Sequence, residues 1–283
     1  MTPAPLDLTD RATALSAARR AGVSLTPRLG QHLLVDRAAL EMIVAALAPG
    51  PADSVLEVGP GIGTLTVELA RRAARVVAVE LDPACVRAAR RHTRGLGAVE
   101  VVEGDALRVE PAALGLGPGW LAAGNIPYTI TGALLTHLLE RPDPPARAVL
   151  LVQREVAARL AAGAGDWSLA TLAVRSLATV ERLGDVPPAA FEPPPRVWSS
   201  VLRLIPAAPW EQAERAAVLA LARPAFQMRR KTLRHGITRA LGGDAQAGRR
   251  ALDDAGIDPR RRPGELDLDE WRRLTAAAVA PPL

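Results

Sequence analysis

Aromatic residues, lysine and cysteine are scarce in this chain. Its 283 residues hold one tyrosine, two phenylalanines, five tryptophans, one lysine (Lys231) and one cysteine (Cys85). A single cysteine excludes an internal disulfide, which fits a reducing compartment. On the helix expected after the second strand, Cys85 reads as a small packed residue. No apolar run reaches the roughly 18 residues of a membrane span. Met1-Thr2-Pro3-Ala4-Pro5 has neither the basic region nor the apolar core of a secretion signal. A cytoplasmic protein with no membrane partner is therefore expected. No Cys/His cluster has metal-ligand spacing and there is no G-x-S-x-G elbow, so no metal is expected and no Ser-His-Asp set is suggested. Internal repeats are absent.

About half the residues, 49%, are apolar, and the length suits about two globular domains. The net charge is +5 and the pI 10.6, which points to a polyanionic partner such as nucleic acid. With one lysine among so many arginines, and with Ala, Gly and Pro abundant, part of that charge reflects G+C-rich coding. Where the cations sit matters more than their sum. Between Arg223 and Arg239 stand Arg223, Arg229, Arg230, Lys231, Arg234 and Arg239 with no acid. A merely solvated helix face normally carries balancing acids, so this cluster reads as phosphate-binding.

Ser54-Val55-Leu56-Glu57-Val58-Gly59-Pro60-Gly61-Ile62-Gly63-Thr64 is a strand running into a glycine-rich turn that opens a helix. Gly59 and Gly61 let the backbone turn sharply and approach a ligand at the helix N-terminus. A second strand ends on Glu80, placed to accept both hydroxyls of a ribose. This unit predicts a nucleoside-cofactor site. Alone it suits NAD as well as S-adenosylmethionine, and Thr64 stands where the stricter dinucleotide fingerprint wants Gly or Ala.

Strand and helix patterns alternate from Asp53 onward, which predicts a doubly wound, mostly parallel α/β sheet covered on both faces. An Ala-rich helix capped near Thr9 or Asp10 precedes it, and Asp36 caps a helix from Arg37 to Leu47. After the third strand, Asp105 can accept from an adenine's exocyclic amine. The fourth strand delivers Gly124-Asn125-Ile126-Pro127-Tyr128, where the sole tyrosine of an aromatic-poor chain invites a functional reading. A fifth strand, Ala148–Val152, and a last one, Ser200–Ile205, flank helices and a proline-heavy loop, Val186 to Val197. We place the domain boundary near Pro206: residues 1–206 form the catalytic domain with its N-terminal helical extension. Residues 207–283 form a small all-helical domain that contacts RNA, with helices at Glu211–Ala222, Gln227–Leu241, Ala245–Ala255 and Leu268–Val279.

Several motifs, in order, resemble one family. They are Arg28-Leu29-Gly30-Gln31-His32-Leu33-Leu34, Glu57-Val58-Gly59-Pro60-Gly61, Gly124-Asn125-Ile126-Pro127-Tyr128 and Gln153 through Leu160, followed by Phe191-Glu192-Pro193-Pro194-Pro195-Arg196-Val197 and Arg229-Arg230-Lys231-Thr232-Leu233-Arg234. Together they resemble the ribosomal RNA adenine N6-dimethyltransferases of the KsgA type, over nearly the whole chain. The resemblance implies the class I methyltransferase fold, S-adenosylmethionine as methyl donor, and two adjacent adenines of small-subunit (16S) ribosomal RNA as substrate. It implies the small ribosomal subunit as partner and a protein acting as a monomer. By the same resemblance His32 and Leu34 close over the cofactor, Gly59 lies beside its methionine part, Glu80 holds the ribose, Asp105 the adenine, and Asn125 faces the transferred methyl. His32 stands where many members have Asn, Leu33 where Phe is usual, and Ile126 where Leu is commoner. Asn-Ile-Pro-Tyr is also carried by the erythromycin-resistance methyltransferases, which keeps large-subunit RNA open as a substrate. An NAD-dependent oxidoreductase gives no role to Asn125–Tyr128. A ribosome-assembly factor without turnover does not need Glu80, Asp105, Asn125 and Tyr128 all present.

The residue types suit the chemistry. An adenine N6 amine is a poor nucleophile because its lone pair is delocalised into the ring. The Asn125 side-chain carbonyl and a main-chain carbonyl near Pro127 can each accept an N–H, which aims the lone pair at the methyl group. Pro127 stiffens the turn, and Tyr128 offers a flat face to a flipped base, worth ~1–3 kcal/mol. Asn125 is a positioning group, and no strong base is required.

Overall fold

The computed structural model describes residues 6–25, 31–207, 210–228 and 230–279. Helix α1 (Arg11–Ala21) starts at Asp10, whose side chain accepts from Thr13 N, and stops at Gly22 with φ 73°. A two-residue strand β1 (Leu33–Leu34) precedes α2 (Arg37–Leu47), capped by Asp36. Then follow β2 (Ser54–Val58), α3 (Thr64–Ala70), β3 (Arg75–Glu80), α4 (Pro83–His92), β4 (Ala98–Glu103), β5 (Leu121–Asn125), α5 (Thr131–Leu139), β6 (Arg147–Gln153) and α6 (Arg154–Leu160). After α7 (Leu169–Arg175) come β7 (Ala178–Val186), β8 (Phe191–Glu192) and β9 (Ser199–Pro206). Four helices end the described chain: α8 (Gln212–Gln227), α9 (Leu233–Ala240), α10 (Ala245–Asp254) and α11 (Leu268–Val279).

Seven strands form a sheet in the order β4-β3-β2-β5-β6-β9-β7. Strands β4 through β6 run parallel, and β9 returns antiparallel beside β6. The central strands β2, β3, β5 and β6 are buried almost end to end, as strands covered on both faces must be. Val55, Val76, Leu121, Val149 and Val201 of the sheet pack with Leu40, Ile43 and Leu47 of α2 and Leu65 and Leu69 of α3. The chain winds outward from β2 to β4 and then jumps back to β5. That reversal opens a crevice between β2 and β5 at their C-terminal ends. Gly124 lets these strand ends meet: a Cβ there would lie 2.4 Å from the Val58 carbonyl oxygen.

The chain divides into two compact units, 1–157 with 181–206, and 158–180 with 207–283. The division expected at Pro206 therefore differs from the observed one, because the helical unit also takes residues 158–180. Trp167 and Leu172 are buried in its core with Phe226, Leu233 and Trp271, which ties α7 to the C-terminal helices. The helix expected over Gln227–Leu241 is also corrected. Helix α8 continues through Pro224 to Gln227, and α9 begins only at Leu233. The first amides of α9 are satisfied from elsewhere: Leu233 N donates to Arg261 O at 2.7 Å and Arg234 N to Pro259 O at 3.1 Å. With those donors engaged by the 259–261 segment, the helix need not extend backward, so Arg230 and Lys231 lie in the connection between α8 and α9.

Candidate active site

The turn after β2 has three glycines in the left-handed region, Gly59 at φ 68°, Gly61 at 57° and Gly63 at 96°. At Gly63 a Cβ would come within 3.3 Å of the Ala89 Cα, so its bare backbone lets the start of α3 approach α4. Beside this turn, at the crevice, is a cavity of about 480 Å³, within the range of small-molecule sites. His32, Leu34, Gly59, Gly61, Glu80, Asp105, Asn125 and Pro127 all line it. Of the residues expected at cofactor and target, only Tyr128 is not among the lining groups.

Glu80 ends β3 facing the glycine turn. Its Oε2 accepts from Gly61 N at 3.0 Å, and its Oε1 accepts from Leu81 N at 2.8 Å and Asp82 N at 3.0 Å. Burial nevertheless raises its carboxyl above the ordinary value, since these bonds only partly offset desolvation. Asp105 is more open; its Oδ1 accepts from Leu107 N at 2.9 Å and its Oδ2 lies 3.5 Å from Arg108 Nε. Glu57, the acid within the apolar β2, lines the same cavity fully buried, and its Oε2 has no hydrogen-bond partner among the described residues. Burial pushes its carboxyl up to about 8, helped by the nearby charge of Glu80. The cavity therefore carries an acidic wall with apolar surroundings. Cys85 is packed against it, its thiol raised to about 12 by burial.

Asn125 leaves β5 with its side chain oriented. Its Nδ2 donates to the His32 carbonyl at 2.8 Å, which leaves Oδ1 as an acceptor with no protein partner among the described residues. The His32 ring is held in turn, Nδ1–H donating to the Pro193 carbonyl at 2.6 Å. Strand β1 pairs antiparallel with β8, Leu33 opposite Glu192 and Leu34 opposite Phe191, so the N-terminal segment is stitched to the proline-heavy loop. The Pro127 carbonyl already accepts from Ile130 N at 3.1 Å, closing the turn before α5 and leaving it one further lone pair. Tyr128 directs its hydroxyl to Ser199 Oγ at 2.8 Å, and its ring lies 6.1 Å from that of His32 at 29°. Burial raises the Tyr128 phenol, so it stays neutral.

The expected RNA-binding cations belong to the helical unit, away from this cavity in sequence. Arg223, Arg230, Lys231 and Arg234 are exposed, and none forms an ion pair among the described residues. Arg229, with Arg28, Leu29 and Gly30 of the N-terminal motif, lies outside the described residues. Sequence reasoning missed three participants: Ser199, Pro193 and the Glu57 carboxyl. An acid inside an otherwise apolar strand was a usable signal for the last. The other two act through a hydroxyl and a main-chain carbonyl brought in by long-range pairing, for which no local signal exists. Among the described residues no helix is long and apolar enough to cross a membrane, and no group of three His, Cys, Asp or Glu side chains could hold a metal ion.

Comparison with known proteins adds an independent line. A family model described as ribosomal RNA adenine dimethylase matches residues 22–276. The chain is 38% identical over 278 residues to the ribosomal RNA small subunit methyltransferase A of Dehalococcoides mccartyi, covering 96% of each. Among solved structures, a dimethyladenosine transferase from Plasmodium falciparum is similar at TM-score 0.72 and 25% identity, over 84% of this chain and 94% of that one. The 23S rRNA methyltransferase ErmE is similar at TM-score 0.71 and 30% identity, over 86% of this chain and 98% of that one.

Proposed function

The chain belongs to the ribosomal RNA adenine dimethylase family, and on that footing we propose that it transfers methyl groups from S-adenosylmethionine to the N6 amines of two adjacent adenines near the 3′ end of small-subunit ribosomal RNA. The observation that carries this reading is the oriented Asn125 amide, whose unpartnered Oδ1 borders the cavity that also holds Glu80.

The residues present suit that cofactor. The left-handed turn at Gly59 and Gly61 leaves room for a ligand against bare backbone, and Glu80 can accept from ribose hydroxyls. The half-open Asp105 suits an adenine amine, and the buried Glu57 carboxyl, its Oε2 unpartnered among the described residues, offers a further hydrogen-bonding group at the cavity wall. When bound, S-adenosylmethionine supplies an electrophilic methyl on a positively charged sulfur.

Everything else falls to the chain's own groups. Asn125 Oδ1 accepts one N–H of the target amine, and the remaining lone pair of the Pro127 carbonyl can accept another. Two acceptors pull the nitrogen toward tetrahedral geometry and point its lone pair into the cavity. Holding nucleophile and electrophile in line can supply ~7–11 kcal/mol of the barrier. The alkylated nitrogen loses its proton to water, so no side chain needs to be a strong base. A monomethylated amine keeps one N–H for Asn125, which lets the second transfer use the same geometry. Tyr128, its hydroxyl tied to Ser199, offers its ring to the flipped base.

Labelled-methyl transfer to small subunits, large subunits and free RNA in parallel, with modified bases mapped, tests the reading. Label in N6,N6-dimethyladenine of the small subunit is expected. Label only in large-subunit RNA would overturn the small-subunit assignment in favour of an activity like that named for ErmE.

A further inference from the structure

Trp198 stands out from the other tryptophans of the chain. Trp120, Trp167 and Trp271 are at most 5% exposed and Trp210 is partly buried against the helical unit's core, whereas Trp198 is 42% exposed, next to Val197 at 38%. Exposing so large an apolar ring costs free energy that burial would recover, so such a side chain at a strand end suggests a contact surface. The Arg154 guanidinium lies over its ring, 5.6 Å from the centroid, and Arg154 N donates to the Trp198 carbonyl at 2.9 Å. Arg154 is exposed and makes no ion pair among the described residues. The ring is thus held from the backbone and covered on one face by a cation.

Its position relative to the cleft follows from the sheet. Because β9 runs antiparallel to β6, its first residue, Ser199, sits opposite Gln153 at the edge where the parallel strands end. Asn125 ends β5 on the other side of β6, opposite Leu151. Two strand spacings of ~4.8 Å separate the ends of β5 and β9. Ser199 bonds the Tyr128 hydroxyl, so Trp198 directly adjoins the support of the Tyr128 ring.

We propose that Trp198 and Arg154 form a stacking platform for an RNA nucleobase flanking the target adenine. The proposal rests on the reading of this cleft as an RNA adenine site and extends it to the neighbouring nucleotide. A flat indole accepts any base by stacking, while the guanidinium both braces the ring and can meet the adjoining phosphate. With the target base extracted toward Tyr128, its neighbour loses a stacking partner, and Trp198 replaces that partner. This platform selects for an unpaired flanking base and carries little sequence information.

The test uses the full-length protein with Trp198→Ala and Trp198→Phe. With unmodified small subunits as substrate, Trp198→Ala should raise KM for the subunit roughly five- to hundred-fold, the range of one lost base stack. Cofactor affinity and kcat at saturating subunit should hold, and Trp198→Phe should retain most of the affinity. Titration with a short single-stranded RNA of adenines, which needs no turnover, should quench tryptophan fluorescence in the parent. That quench should vanish in Trp198→Ala. A quench without methyl transfer would support the platform while sinking the enzymatic reading. Normal methyl transfer with unchanged KM and unchanged quench in Trp198→Ala would overturn the platform alone. Weakened binding to subunits with no effect on naked RNA would also overturn it, by pointing to a ribosomal protein as the contact.

Discussion

Glu57 permits a prediction whose sign and size both follow from the structure. Its carboxyl, buried in β2 with Oε2 unpartnered, titrates near 8 when folded, against 4.5 for an exposed carboxyl. The folded state therefore holds a proton that the unfolded chain gives up between those values. Stability from this group is fully present below the ordinary carboxyl value and is lost as pH rises through the folded one. The loss runs at about 1.4 kcal/mol per pH unit in that window, or about 3 kcal/mol between pH 5 and pH 7. The substitution Glu57→Gln keeps the shape and removes the titration. Thermal unfolding of the first unit should then show a difference between parent and variant that narrows or reverses as pH falls from 7 to 5. At about 2–4 °C per kcal/mol for a unit of this size, the relative shift should be several degrees. Glu80 is present in both proteins, and its own burial acts equally in each; only its repulsion of the Glu57 carboxylate is lost in the variant, which adds to the difference in the same direction. Parallel pH profiles for the two proteins would refute the buried-neutral assignment and leave Glu57 charged in place.

Four further outcomes are expected. Asn125→Ala should cut single-turnover methyl transfer by about 3–4 kcal/mol in barrier, as losing one aligned polar contact does, with cofactor affinity nearly intact; rates within tenfold of the parent would contradict it. In titration calorimetry Glu80→Gln should weaken S-adenosylmethionine by the ~1.5–3 kcal/mol of a charge-assisted bond, and an unchanged Kd would make Glu80 structural. Gly124→Ala forces a methyl to within 2.4 Å of the Val58 carbonyl, so it should cost at least the ~1–3 kcal/mol typical of overpacking and lower the unfolding midpoint; an unshifted midpoint would show that β2 and β5 separate freely. Neutralising Arg230, Lys231 and Arg234 together should flatten the salt dependence of RNA binding by up to ~0.7 per lost phosphate contact. A parallel salt plot would remove these residues from the interface.

The elements of this fold were legible because their signals are local. Asp10 and Asp36 as caps and the strand-turn-helix pattern from Ser54 through Glu80 each depend on a few neighbouring residues, and the structure has α1 capped by Asp10, α2 over Arg37–Leu47, and β2, α3 and β3 in that order with β3 ending on Glu80. The likeness of motifs from Arg28 to Arg234 likewise pointed to the family without any contact. Short motifs hold their residue types because a ligand requires them, and that trace is written in sequence order. Three features depended on distance instead. The break between α8 and α9 exists because Arg261 and Pro259, well along the chain in the segment before α11, supply carbonyls to Leu233 and Arg234. Residues 158–180 join the helical unit because Trp167 finds its apolar partners beyond residue 210. The orientation of Asn125 needs the His32 carbonyl, 93 positions earlier, and the ring of His32 needs the Pro193 carbonyl, 161 positions later. A main-chain carbonyl has the same chemistry in every residue, so the amino-acid code cannot mark the ones that matter; only tertiary packing, such as the pairing of β1 with β8 beside His32 and Pro193, decides which acceptor meets which donor.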